Sequence, residues 1–218
     1  MRLPYAPSTA PPSNPSDPSS PPDPSVSEIY ARIAHRRHPR PLIPLDLTLL
    51  HSPPVADGWN AFLGAIRSRT VLDKGLLELA VCRVAVLNRA VYEWEAHAPL
   101  AVRGGISGET LSVARTAEFG GEYVGVSEKE AAVLRYTDAM TRDVRVSEEV
   151  FGSLKEVGFD EREIVELTAG IAGYNCVSRV LVALDVGEWN GREFKGVEEV
   201  VRGEEERRRE LEEEKQKA

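Results

Sequence analysis

Cysteine is scarce in this chain: Cys82 and Cys176 are the two in 218 residues, and no CxxC pair exists. That excludes a disulfide scaffold, a zinc ribbon and a thioredoxin-type dithiol, all of which need closely paired thiols, and it fits a reducing compartment. Histidine is nearly as rare, with four residues and no HExxH or other multi-histidine spacing, so no metal is expected. Positive charge is not in excess. The 35 acidic and 27 basic residues leave a net charge of −8, which disfavours nucleic acid and other polyanions as partners. No apolar run approaches the roughly 20 residues of a membrane span, and the N-terminus lacks the apolar segment of a secretion signal. The expectation is a soluble cytoplasmic protein that does not engage a membrane. β-branched alternation, the mark of strands, is almost missing.

What is present is helical. Hydrophobic residues make up 42% of the chain, enough for one sizeable core. Residues 1–25 hold nine of the fifteen prolines and six serines, a composition expected to form a disordered arm. Residues 26–197 read as one compact all-α domain, and residues 198–218 as a charged, solvated helical tail. Ser25 or Ser27 is the expected cap of a helix through His35, followed by an extended connector at RRHPRPLIP. Further helices are expected over 55–69, after Asp73, from Tyr92 to Arg103, and after Ser107, Ser127, Ser147 and Asp160. Ser127 with Glu130 and Asp160 with Glu163 have capping-box spacing. Two segments echo each other: LLELAVCRVAVLN (Leu76 to Asn88) and IVELTAGIAGYN (Ile164 to Asn175). Each follows a capping Asp, carries an early glutamate (Glu78, Glu166) and ends in asparagine, with spacings that differ by one residue.

His97 is the histidine best placed for chemistry. It follows Glu93 by four residues, so one helix face presents a carboxylate and an imidazole one turn apart, an arrangement suited to general acid/base work. Glu78 lies in the middle of an apolar helix, where a carboxylate is costly without a partner. Antiparallel packing across the Asn88-Arg89 turn would bring it to the Glu93/His97 face. A solvated i,i+4 contact and a capped Glu78 are the alternatives.

The run ELAVCRVAVLNRAVYEWEAHAPLAVRGG, from Glu78 to Gly105, resembles the carboxymuconolactone decarboxylase and alkylhydroperoxidase D-like superfamily, and YTDAMTRD with GYNCVSRVLVAL is similar to its second half. The resemblance implies a compact all-α fold, a trimeric or hexameric homo-oligomer, and two chemistries. In the peroxidase branch a CxxC precedes the histidine. Here Ala90 and Glu93 stand at the cysteine positions while Glu78, Asn88 and His97 match the rest, so a thiol-dependent hydroperoxide reductase is disfavoured. Cys82 and Cys176 read as small core residues. In the decarboxylase branch a glutamate stands four residues before the histidine and a glycine eight after, as do Glu93 and Gly105. The resemblance thus implies a cofactor-free lyase acting on a small carboxylated or enolisable ring, with His97, Glu93 and Glu78 as catalytic residues. Arg83, Arg89 and Arg103 are candidates for holding a substrate carboxylate, and Tyr92 and Trp94 for walling a planar ring. A non-catalytic helical scaffold is the remaining alternative.

Overall fold

The computed structural model describes residues 1–217, which form ten α-helices and, among the described residues, no β-strand. They divide into two compact units, Met1–Arg69 with Leu184–Glu188, and Thr70–Ala183 with the chain from Trp189 onward.

The first unit contains α1 (Pro24–Arg37), α2 (Pro44–Leu49) and α3 (Pro53–Ser68). Helix α1 is capped by Asp23, not by Ser25 or Ser27. Pro24 has no N–H to satisfy and suits the first helical position, and the Asp23 carboxylate accepts from the N–H groups of Ser25 and Val26. The expected connector contains the short α2, where Asp46 reaches back to the Ile43 N–H at 3.0 Å and takes a fork of hydrogen bonds from Arg37 at 2.7 and 2.8 Å. Tyr30, Ile33, Leu50 and Ala56 make the core of this unit, and Ala6 joins them.

That last contact corrects the expected disorder of residues 1–25. The arm is extended and tied down: the Ala6 N–H donates to Leu47 O, the Arg2 N–H to Leu184 O, and the Met1 amine pairs with Asp185 and Glu188. Asn14 and Asp17 fold their carbonyl and carboxylate oxygens onto the N–H groups of Ser16 and Ser19. Composition misleads here because the many prolines hold φ fixed, which lowers the entropy lost on ordering.

The second unit is built around α4 (Lys74–Leu87), of which twelve of fourteen residues are buried. Asp73 caps it through the Leu76 N–H at 2.9 Å. Helix α5 (Val91–Arg103) returns antiparallel to α4 after a turn in which Arg89 takes a left-handed φ of 55°. Pro99 lies inside α5 without ending it. At the open end of this hairpin the backbones nearly touch, and a β-carbon on Gly75 would fall 2.5 Å from the Gly104 carbonyl oxygen. Helix α6 (Gly108–Thr116) starts at its Ser107 cap, and α7 (Glu128–Asp138) at the Ser127/Glu130 capping box before running into a π-helical turn at Ala139–Asp143. Helices α8 (Glu148–Glu156) and α9 (Glu161–Leu184) begin at Ser147 and at the reciprocal Asp160/Glu163 pair.

Leu79, Cys82, Ala85, Trp94, Ala98, Leu111 and Leu134 form the core. Helix α10 (Val197–Lys217) adds Val197 and Val200 to it, and beyond the Arg103–Glu204 ion pair residues 205–216 are exposed. Contrary to the sequence expectation, α9 is long and apolar enough to cross a membrane by length and composition. Half of its most apolar window is buried in protein, and Glu166, Asn175 and Ser178 bond to the α4 approach, α4 and α5 respectively, as in a core helix.

Candidate active site

The hairpin register decides which polar groups meet. With α4 and α5 antiparallel, position 78 comes opposite position 97, and the His97 Nδ1 lies 2.5 Å from Glu78 Oε2. Both residues are buried to about nine-tenths, with 8% and 9% of their surfaces exposed. Nδ1 donates to the carboxylate when it carries the proton. Tyr174, from α9, packs edge-on against the imidazole with ring centroids 4.8 Å apart and fixes its plane.

Glu93 is one turn nearer the hairpin bend and is 1% exposed. The Ser178 hydroxyl, itself fully buried, donates to Glu93 Oε1 at 2.9 Å. Glu93 Oε2 has no hydrogen-bond partner, the one buried side-chain nitrogen or oxygen so placed among the described residues. Burial pushes the Glu93 carboxyl well above the usual range, the Ser178 hydroxyl pulls the other way, and the charge of Glu78 adds to the rise. The expected roles of the two glutamates are therefore exchanged in the geometry. Glu78, not Glu93, is the carboxylate bonded to His97, because α9 draws Glu93 toward Ser178. Cys82, one turn along α4 from Glu78, is fully buried, and burial with the Glu78 charge keeps its thiol protonated.

The expected substrate-binding residues are mostly engaged elsewhere. Arg83 is 1% exposed and forks onto Asp138 at 2.6 and 3.0 Å while donating to the carbonyls of Ala114 and Ala117. Asp138 also accepts from the Tyr123 hydroxyl and the Gly120 N–H, so Arg83 is the centre of a buried structural network. Arg103 is taken by Glu204. Trp94 is a core residue, donating from Nε1 to Lys195 O and packing edge-on with Phe194. Tyr92 is half-buried and packs with Trp189. Arg89 is exposed on the turn, with no ion pair from its guanidinium among the described residues.

Sequence reasoning missed Tyr174 and Ser178. Their signal is a pair of hydroxyl residues four apart in the GYNCVSR segment, which puts both on one face of α9. The two asparagines that end the similar segments meet directly, Asn88 Nδ2 donating to Asn175 Oδ1 at 3.1 Å. Among the described residues no group of three or more His, Cys, Asp or Glu side chains is arranged to hold a metal ion.

Residues 53–142 match the model of the carboxymuconolactone decarboxylase family. No curated protein sequence matches the chain. Among solved structures, the alkylhydroperoxidase D core of a peroxidase-related protein from Ralstonia eutropha is similar, with 19% identity and a TM-score of 0.62 over 73% of this chain and 84% of that one. An Agrobacterium tumefaciens protein of the same type gives 20% identity and a TM-score of 0.54, covering 62% of this chain and 90% of that one. A cysteine-to-alanine variant of a debrominase in complex with 2,3,4-tribromopyrrole gives 18% identity and a TM-score of 0.57, covering 89% of this chain and 96% of that one. At these identities the structural likeness speaks to fold. The family match is confined to residues 53–142, and over a wider part of the chain the fold is like that of the alkylhydroperoxidase D-like structures.

Proposed function

We propose that this protein is a cytoplasmic carboxy-lyase-type enzyme that decarboxylates, or moves a proton on, a small carboxylated or enolisable ring. The observation that carries this reading is the buried 2.5 Å contact between His97 and Glu78. His97 is the acid/base, Glu78 orients its ring, and Glu93 completes the cluster. Loss of carbon dioxide leaves an electron pair that the ring holds as an enolate until a proton arrives. A positioned acid/base group typically contributes about 10² to 10⁴ in rate to such a transfer. This chemistry needs neither a metal nor an organic cofactor. The planar ring in the debrominase neighbour supports a ring of this size as ligand.

Hydroperoxide reduction by a thiol is the weaker reading. Ala90 and Glu93 stand where a dithiol is required, Cys82 is a buried protonated thiol, and Cys176 is exposed on α9. The proposed assembly is a homo-oligomer, trimer or hexamer. Val165 is 66% exposed, and Ala172, Cys176 and Ala183 are also exposed along α9, an apolar face that a second copy would cover.

The test is incubation with carboxymuconolactone while carbon dioxide release is followed. Turnover is expected in the wild type and in Cys82→Ala/Cys176→Ala, with loss in His97→Ala and in Glu78→Gln. Full activity of His97→Ala would end the acid/base reading, and thiol-dependent peroxide reduction lost in the double cysteine variant would replace it. A non-catalytic scaffold is the outcome if no variant and no wild-type sample turns over or binds a carboxylated ring. Light scattering decides the assembly, and an active monomer would exclude the oligomer.

A further inference from the structure

Resting on that reading, we propose that Glu93 is a neutral carboxylic acid whose proton sits on Oε2 and is delivered to the substrate enolate, with Ser178 as the positioning residue that assigns the proton to that oxygen. A carboxyl group with one oxygen already accepting from a hydroxyl carries its own proton on the other. Ser178 donates to Oε1, so Oε1 is the carbonyl oxygen and Oε2 the hydroxyl. That hydroxyl has no acceptor in the fold, although Glu93 is 1% exposed and buried donors are otherwise paired. Its complement is therefore a ligand that presents an electron-rich acceptor, such as the carbonyl oxygen or developing enolate of a ring acid, and not a ligand that presents a donor.

The surroundings agree on neutrality. Glu78 and Cys82 from α4 and Ser178 from α9 bear on Glu93, and His97 follows one turn along its own helix. His97 is the one basic group in this set, and its Nδ1 is held by Glu78. A second carboxylate would be a buried charge without a counter-charge, which is strongly disfavoured. In the step, the carbon–carbon bond to the substrate carboxylate breaks and carbon dioxide leaves. The electron pair passes into the ring enolate, the Oε2–H bond breaks, and the proton forms the new carbon–hydrogen bond. Glu93 is left as a carboxylate and regains its proton from His97, one turn along the same helix, which takes one from water, so each turnover consumes one proton for one carbon dioxide released.

Infrared difference spectra at neutral pH test the protonation without any substrate. A protonated-carboxyl band is expected in the wild type and is absent in Glu93→Gln. In Ser178→Ala the band persists but moves to higher frequency, because the carbonyl oxygen loses its donor, and Ser178→Thr returns it toward the wild-type position. No Glu93-dependent band, or a band unmoved in Ser178→Ala, would overturn the assignment even if His97-dependent turnover is found. In the turnover assay Glu93→Gln, which still hydrogen-bonds but has no acidic proton, is expected to lower kcat at least tenfold with little change in KM. An unchanged kcat would remove the donor role and leave the His97–Glu78 pair standing.

Discussion

Glu78 and Glu166 hold the same place in two similar segments, each the third residue of its motif and each five residues after a capping Asp or six, yet they face different partners. Glu78 meets the His97 imidazole. Glu166 accepts from the N–H groups of Val71 and Leu72 at 2.8 and 2.9 Å and from Arg162 at 2.9 Å, tying down the chain that leads into α4. One carboxylate is aimed at a titratable side chain and the other at backbone. Five residues on in each motif, Arg83 and Ile171 are both fully buried, the first because Asp138 neutralises it and the second because it is apolar. At the ends of the two segments the asparagines bond to each other. Local sequence places a residue on a helix face, and the neighbouring element then decides whether it does chemistry or holds structure.

The comparison breaks first at the imidazole. His97→Ala is expected to lower turnover about 10² to 10⁴-fold with helical content unchanged by circular dichroism, whereas Glu166→Gln should leave kcat at the wild-type value. Next in size, Arg83→Ile gives α4 the residue that α9 already carries and strands Asp138. A loss of about 3–5 kcal/mol is expected in denaturant unfolding, against about 0.5–1.5 kcal/mol for Ile171→Val.

Third, Glu166 and Glu93 should give stability opposite pH signatures. Burial alone would raise the Glu166 carboxyl, but the Leu72 N–H, Arg162 and the Val71 N–H outweigh it and hold it below the ordinary 4.5. A depressed carboxyl stabilises the fold above its unfolded value, and that contribution is lost as pH falls through the folded value. Glu93 is raised above 4.5, so its contribution is full below that pH and is lost as pH rises toward the folded value. Thermal melts of Glu93→Gln should therefore lose part of the decline in stability above pH 4.5 and gain Tm at neutral pH. Glu166→Gln should lose about 1–3 kcal/mol at neutral pH and little at low pH. The smallest effect is at the asparagines. A double-mutant cycle of Asn88→Ala and Asn175→Ala is expected to show a coupling of about 0.5–1.5 kcal/mol, and additive losses would mean the two segments are held together by packing alone.

In the second unit the helices were legible where their starts are chemical. Asp73, Ser107, Ser127, Ser147 and the Asp160/Glu163 pair all cap where the sequence places them, since a cap needs only residues three or four apart. The meeting of Glu78 with the α5 face was also legible, because a short turn forces antiparallel neighbours. Which glutamate takes the imidazole was not, for Ser178 lies 85 residues from Glu93 and no local spacing announces it. Arg83 was misread for the same reason. Its partner Asp138 is 55 residues away, and an arginine in an apolar helix offers the same letters whether it holds a ligand or a buried aspartate.

The Gly75–Gly104 contact closes the open end of the hairpin at a place that carries no side chain, within about 10 Å of helical rise of both Glu78 and His97. A methyl group at Gly75 would meet the Gly104 carbonyl at 2.5 Å, and one at Gly104 would meet the Gly75 α-carbon at 2.7 Å, so either acts as a wedge. Prising the arms apart there would lengthen the carboxylate–imidazole contact without altering either residue. The length of the Glu78–His97 contact is thus set by two positions that take no part in it, and Gly75→Ala is a chemically silent way to change it.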